Sequence, residues 1–184
     1  MEGRHGTVRW NFRQAEASDT AAAQAAYRQI VDHLAATVDF PHWHTENRPS
    51  EDEVQEWIGS GELYLTLEQT GGRIAGVVAL NHAAPDAYLH APWALEVPPE
   101  QILVVHALAV SPDFLRQGVA RFLVDASLDV AREKGCRAVR LDTYVENIAA
   151  RELYARCGFT DLGVHTLHYE GTELNQFHLF ERVL

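Results

Sequence analysis

The run Leu108-Ala109-Val110-Ser111-Pro112-Asp113-Phe114-Leu115-Arg116-Gln117-Gly118-Val119-Ala120-Arg121-Phe122-Leu123 decides the fold, because it reads as a strand, a turn and the start of a helix. Its apolar part stops at Ser111-Pro112, and proline suits neither a helix interior nor a central strand. A helical pattern begins near Gln117 and runs to Lys134. Ala120, Leu123, Val124, Ser127, Leu128 and Ala131 form its apolar stripe, and Gly135 supplies its stop. The first N–H groups of a helix lack intrahelical partners, and the aligned peptide dipoles add roughly half a positive charge there. Arg116-Gln117-Gly118-Val119-Ala120 puts small residues at that end, so a diphosphate can approach the backbone closely. A single glycine at such a joint also serves simply to make a turn, so the stretch alone leaves both readings open.

Outward from this stretch, Ile102 to Val110 is nearly continuously apolar, as a central buried strand should be. Downstream, Arg137 to Val145 alternates through Val139, Leu141 and Thr143 and reads as a strand. Asn147 to Cys157 is a helix capped by Asn147 and stopped by Gly158. Phe159 to Tyr169 and Leu174 to Leu184 are closing strands around a Glu170-Gly171-Thr172 turn. Upstream, Thr7 to Phe12 is a first strand, with Val8, Trp10 and Phe12 on one side. Ala17-Ser18-Asp19 caps a helix from Thr20 to Ala36, with Ala23, Tyr27, Ile30 and Leu34 along one face. Phe40-Pro41-His42-Trp43-His44 breaks the pattern. Ser50-Glu51-Asp52-Glu53 is a capping box that opens a short helix to Ile58. Leu63 to Leu67 and Arg73 to Asn81 form a hairpin around Thr70-Gly71-Gly72. Ala83 to Glu100, with Pro85, Pro92, Pro98 and Pro99, is a loop longer than a connector needs.

This order predicts an α/β (α+β) fold. Its centre is a mixed, mostly antiparallel twisted sheet of about six to seven strands, with about four helices on its two faces. Residues 1–184 are expected to form one domain with a sizeable core. No apolar run approaches the ~20 residues of a membrane span, and Met1 to Trp10 has no apolar signal core, so a cytoplasmic protein without membrane partners is expected. The formal charge of -11 argues against nucleic acid as a partner and suits a cationic substrate. Two cysteines, Cys136 and Cys157, make neither a disulfide framework nor a metal site. His42-Trp43-His44 has no third ligand nearby, so no metal is expected.

A second cluster lies on the last helix. Asn147, Ala150 and Tyr154 stand at i, i+3 and i+7 and share a face, while Leu153, Cys157 and Phe159 turn to the core. Together the two clusters resemble the GNAT superfamily of N-acyltransferases, which use acetyl-CoA. Its signature is a strand ending Leu-x-Val, a Gln/Arg-x-x-Gly-x-Gly/Ala loop opening a helix, and then Asn-x-x-Ala-x-x-Leu-Tyr-x-x-x-Gly-Phe. This chain has Leu108-Ala109-Val110, then Leu115-Arg116-Gln117-Gly118-Val119-Ala120, then Asn147 through Ala150, Leu153-Tyr154 and Gly158-Phe159. Leu115 departs from the expected Gln or Arg, so a side-chain contact from that position is lost. The backbone N–H groups that do most of that loop's work remain.

The resemblance implies that backbone groups of Leu108, Ala109 and Val110 hold the pantetheine arm. Arg116, Gln117, Gly118, Val119, Ala120 and Arg121 would hold the diphosphate. Asn147 and Ala150 would contact the arm further along, with Tyr154 beside the sulfur and Val110 N–H facing the oxyanion. Arg151 and Arg156 are further candidates for the outer phosphate. The implied reaction is direct attack of a primary amine, on a small molecule or peptide, at the thioester. Such an amine, with pKa about 10.4, is free base in only roughly one part in 2,500 at pH 7, a deficit of about 4.6 kcal/mol. A base is therefore useful. His106, two and four residues before Leu108 and Val110, is expected on their face and is the leading candidate. Glu96, His82, Asp142, Glu146 or a water chain stand behind it. Tyr154 either protonates the leaving thiolate or hydrogen-bonds it. The acceptor should bind among Phe40 to Pro49, Ala83 to Pro99 and His165 to Tyr169. A homodimer is left open, and the alternative function is an acyl-CoA sensor without turnover.

Overall fold

The computed structural model describes residues 9–184. In chain order the elements are β1 (Trp10–Gln14), α1 (Thr20–Ala36), α2 (Trp43–Glu46), α3 (Glu51–Gly59), β2 (Leu63–Glu68), β3 (Ile74–Asn81), β4 (Ile102–Val110), α4 (Val119–Glu133), β5 (Ala138–Tyr144), α5 (Ile148–Arg156), β6 (Thr160–Thr166) and β7 (Gln176–Val183). They build one seven-stranded sheet in the order β1-β2-β3-β4-β5-β7-β6. Only β4 and β5 pair in parallel; every other neighbouring pair is antiparallel. The mixed, mostly antiparallel sheet matches expectation. Thr7 and Val8 of the expected first strand lie outside the described residues.

The caps at Ser50 and Asn147 form as read, whereas the Asp19 side chain makes no cap bond to α1 and instead accepts from Glu16 N–H and pairs with Arg13. Ser50 accepts from the Glu53 N–H while Glu53 accepts from the Ser50 N–H, the reciprocal cap read from the sequence. Asn147 caps α5 by accepting from Ala150 N–H at 3.2 Å. The additional short helix α2 forms inside the stretch expected only to break the pattern. The Asp39 carboxylate takes the N–H groups of Trp43 and His44 at 2.9 and 3.0 Å, and so satisfies donors that no adjacent residue caps.

The helices cover both faces of the sheet. Leu123, Val124 and Leu128 of α4 pack with Leu103, Val105, Val139 and Leu141 on one face. Gly76 lets α4 come close: a Cβ there would stand 2.7 Å from Leu123 Cδ1. On the other face Ala23, Tyr27 and Ile30 of α1 and Val54 and Ile58 of α3 pack with Leu63, Leu65 and Val77. A third cluster gathers Tyr88, Ile102, Val104, Leu167, Phe177 and Leu179, where the 83–101 segment and the β6–β7 connection meet the sheet.

Two irregularities of β4 place the site. The first is a bulge at Ala107, whose φ is 49°. Ala79 pairs with His106 and Val77 with Ala109, so β4 carries one extra residue between them. The extra residue inverts the alternation of faces. Leu108 and Val110 pack on the α4 side, whereas Ala79, opposite His106, packs on the α1 side. The expectation that His106 shares the face of Leu108 and Val110 is therefore corrected. Tyr27 of α1 fastens the bulge, its hydroxyl donating to Ala107 O at 2.8 Å. Changing Tyr27 to phenylalanine removes that bond and leaves the carbonyl without its partner, at an expected cost of about 1 kcal/mol in urea unfolding. An unchanged midpoint would show that the bulge holds without it.

The second irregularity is a parting of strands. β4 and β5 pair only at Ile102–Ala138, Leu103–Val139 and Val104–Arg140, and then diverge. Ser111 N–H donates to Ala75 O on the β3 side, and Ala109 pairs with Val77. By alternation, the backbone groups of Leu108 and Val110 turn to the opposite, open edge. No helix among the described residues is long and apolar enough to cross a membrane.

Candidate active site

The gap between the strands opens into a cavity of about 390 Å³. His106 and Leu108 line it from β4, Asp142 and Tyr144 from β5, and Asn147, Ala150 and Tyr154 from α5. The expected one-face cluster on α5 thus meets the central strand at the open edge.

Beyond the end of β4 the chain makes the expected turn into α4. Leu115 is extended and 43% exposed, Arg116 is left-handed with φ 60°, and Gly118 follows with φ 84° as the N-cap of α4. The first bond of that helix runs from Phe122 N–H to Gly118 O at 3.0 Å, so the N–H groups of Val119, Ala120 and Arg121 precede it. A Cβ at Gly118 would meet nothing within 4 Å. A positive φ, free N–H groups and open space together fit a diphosphate. Of the side chains expected there, Arg116 makes no hydrogen bond or ion pair among the described residues, while the others are engaged within the protein. Gln117 is tied to Asp113 O and to Arg9, and Arg121 pairs with Asp125 at 3.1 Å. Arg151 turns back toward Val145 O, and Arg156 lies 3.8 Å from Glu152.

The protonation state of His106 follows from its neighbours. Asn81 Nδ2 donates to Glu62 at 3.0 Å, and Asn81 Oδ1 accepts from Ala83 N–H at 3.0 Å. The Asn81 atom facing His106 is therefore oxygen. His106 Nε2 lies 2.8 Å from it and 3.1 Å from Ala83 O, two acceptors, so Nε2 carries the proton and Nδ1 keeps its lone pair. Burial lowers the His106 pKa below its ordinary value, against the opposing pull of Asp142, so the neutral ring is favoured.

Tyr154 is buried and packs against Phe159 and Phe180, each with ring centroids 5.7 Å away. Its hydroxyl has no hydrogen-bond partner among the described residues. Desolvation, then the charge of Asp142, raises its pKa, so it stays protonated and available to donate.

Asp142 was expected only as a minor candidate base, yet it lies in the cavity beside His106. Its Oδ2 accepts from the hydroxyls of Tyr88, at 2.7 Å, and Tyr169. Burial raises its pKa above the ordinary carboxylate value, and the two phenols and His106 offset that only in part. The other candidate bases are not brought in. His82 Nδ1 bonds Ile102 O at 2.7 Å, Glu146 pairs with His42 at 2.7 Å, and neither they nor Glu96 line the cavity. Above, Arg48 joins the roof by bonding Glu53 at 2.6 Å and Glu170 O. Trp57, which sequence reasoning missed, also lines the cavity; within α3 nothing sets it apart from a core residue.

Solved structures share the fold. An acetyltransferase of the GNAT family from Listeria monocytogenes matches with a TM-score of 0.73 at 17% identity, over 95% of each chain. yncA from Salmonella typhimurium, solved with its cofactor acetyl-CoA, matches with a TM-score of 0.66 at 18% identity, over 95% of this chain and 94% of that one. The model of the acetyltransferase (GNAT) family matches residues 18–159, and the chain belongs to that family. Among curated relatives, the mycothiol acetyltransferase of Beutenbergia cavernae is 38% identical over 47% of this chain and 29% of its own length. The chain spans 30% of an uncharacterized N-acetyltransferase of Methanocaldococcus jannaschii, which is 32% identical over 38% of this chain. It therefore covers under a third of either relative. The ribosomal protein bS18-alanine N-acetyltransferase of Salmonella typhimurium is 25% identical over 74% of this chain and 84% of its own length.

Proposed function

We propose that the protein is an acetyl-CoA-dependent N-acetyltransferase that transfers acetyl to a primary amine, on a small molecule or peptide, by direct attack. The observation that carries this is the parting of β4 and β5, which sets an open strand edge between the Gly118 turn and the Tyr154 hydroxyl. Backbone groups of Leu108 and Val110 would hold the pantetheine arm along that edge, with Ala109 between them. Residues 116–121 would hold the diphosphate, and Asn147 and Ala150 would border the arm on the α5 side. The thioester, when bound, supplies an activated acyl group.

The residues of the chain manage the protons. His106 Nδ1 has the free lone pair to take one from the amine. Tyr154 holds its own proton tightly and donates a hydrogen bond to the leaving sulfur. Its raised pKa makes complete transfer costlier than for a free phenol, which favours hydrogen bonding over full protonation. A peptide acceptor is supported by the relative named for the alanine of a ribosomal protein.

A thiol-release assay with acetyl-CoA and a panel of amines and peptides tests the reading. Release that depends on an amine is expected. Acetyl-CoA binding without release across the panel would favour the sensor. The base assignment adds a pH prediction. His106 acts neutral and its pKa is depressed, so activity is present above that value and lost as pH falls through it. The acid limb of kcat, read at saturating amine, should fall below pH ~6.5, the ordinary histidine value. Changing His106 to glutamine should lower kcat by about a hundredfold and remove that limb. A limb that persists in the variant would assign the base elsewhere.

A further inference from the structure

We infer that Asp142 is the group that receives the acceptor as an ammonium ion, and that Tyr88 and Tyr169 are positioning residues that hold it for that role. The inference rests on the acyl-transfer reading for the identity of the ligand, and on the geometry of the cavity for its charge.

Three separate parts of the chain converge on one carboxylate oxygen. Asp142 comes from β5, Tyr88 from the 83–101 segment and Tyr169 from the β6–β7 connection. Both hydroxyls donate to Oδ2, and Oδ1 makes no hydrogen bond among the described residues. The carboxylate is half-buried, its Oδ1 is left open to the cavity, and two neutral phenols do not cancel its charge when it is ionised. The arginines nearby are already engaged. Arg140, two residues earlier on the same face of β5, bonds Glu181 at 2.9 Å and stacks over Trp93 at 4.2 Å. Arg48 is bound to Glu53 and Glu170 O. His106 is held neutral. Oδ1 is thus open to the cavity with no free arginine beside it, the place where a ligand's ammonium would pair with the ionised carboxylate.

The surroundings favour an ammonium on an apolar body. Tyr144 and Tyr169 each pack on Phe177, with centroids 5.8 and 5.6 Å away, and all three line the cavity. Aromatic walls attract a cation as well as the carbon attached to it. His106, also in the cavity, can then take a proton from the bound ammonium at Nδ1, leaving a neutral amine and an imidazolium. Tyr88 is held in place from behind. Trp93 Nε1 donates to Tyr88 O at 2.6 Å, and Glu181 accepts from Ala94 N–H at 2.7 Å, so the Arg140–Glu181 pair anchors the segment that carries it.

The groups that face Asp142 are Tyr88 from the 83–101 segment, Tyr169 from the β6–β7 connection, His106 from β4 and Tyr154 from α5. On its own strand Arg140 is neutralised by Glu181. Each phenol favours the ionised carboxylate. Removing one should therefore shift the acid limb of amine binding to higher pH.

The test uses phenethylamine and n-butylamine as probes, with 2-phenylethanol as the neutral match. Binding is read by thermal shift and calorimetry on the wild type and on Asp142→Asn, which keeps an oxygen for the tyrosines. Both amines should stabilise the wild type and the alcohol should not. Asp142→Asn should weaken amine binding at least tenfold and leave CoA binding unchanged. Tyr169→Phe and Tyr88→Phe should each move the acid limb upward, a shift that lost packing alone does not produce. Equal binding by the alcohol, no binding of either amine, an unmoved limb or full amine affinity in Asp142→Asn would each overturn the inference. So would a fall in kcat at unchanged amine affinity, which would make Asp142 a base. Thiol release with the same amines separates the two readings. Binding without release would count against acyl transfer alone, and release indifferent to Asp142→Asn would count against this inference alone.

Discussion

Gly118→Glu should raise the dissociation constant for CoA by more than a hundredfold. At this position φ is 84° and a Cβ meets no atom within 4 Å, so the fold has room for a side chain. The backbone strain of a non-glycine residue there is roughly 1–2 kcal/mol, too little to unfold most domains. The damage is confined to the ligand. A carboxylate would stand beside the N–H groups of Val119, Ala120 and Arg121, take up the positive end of the helix and repel a diphosphate. Gly118→Ala is the matched control, carrying the strain without the charge, and should retain most of the affinity. Calorimetric titration with CoA measures both. Unchanged affinity in the glutamate variant would remove this turn from the diphosphate site.

Tyr154→Phe should lower kcat by about a hundredfold or more while changing CoA affinity little, in the range found for loss of one catalytic hydrogen-bond donor or acid. The substitution is clean because the hydroxyl has no partner among the described residues, so nothing in the fold is left unsatisfied. The ring contacts with Phe159 and Phe180 remain. Steady-state kinetics and CoA titration on the same preparation separate the two effects. Full activity would show that the hydroxyl is dispensable and that water protonates the sulfur.

The parts of this account that were legible in the sequence are those set by local rules. The α4 stripe, the Ser50–Glu53 cap and the Asn147 cap depend on residues within a turn or two of one another. The Leu108–Leu123 run and the Asn147–Phe159 run carry short-range geometry, so the turn, the helix start and the shared face on α5 could all be read from them. The bulge at Ala107 could not be read, because it is held by Tyr27, 80 residues away, and uses alanine where glycine would have signalled a left-handed residue. One extra residue then moved His106 to the opposite face from the one alternation gives. Helix α2 was hidden for a related reason: its capping carboxylate, Asp39, lies four residues before Trp43 and across Pro41. The Asp142 cluster is the extreme case, since Tyr88 and Tyr169 are 54 and 27 residues distant and meet it only when the sheet forms.

Leu115 gained a physical reading. It is exposed at the turn, and the features beside it that fit an anion are backbone conformation and free N–H groups rather than a side chain at that position. An apolar residue there is compatible with a loop that works through its main chain.

The central claim is that acetyl passes from CoA to an amine at this cleft. Acetyl-CoA carrying a deuterated acetyl group, incubated with the protein and an amine panel, tests it most directly when the recovered amines are read by mass spectrometry. The expected result is label on an amine nitrogen, one free thiol for each labelled amine, and both appearing about a hundredfold more slowly in Tyr154→Phe. Thiol release with no label in any amine, or CoA binding with neither, would contradict it.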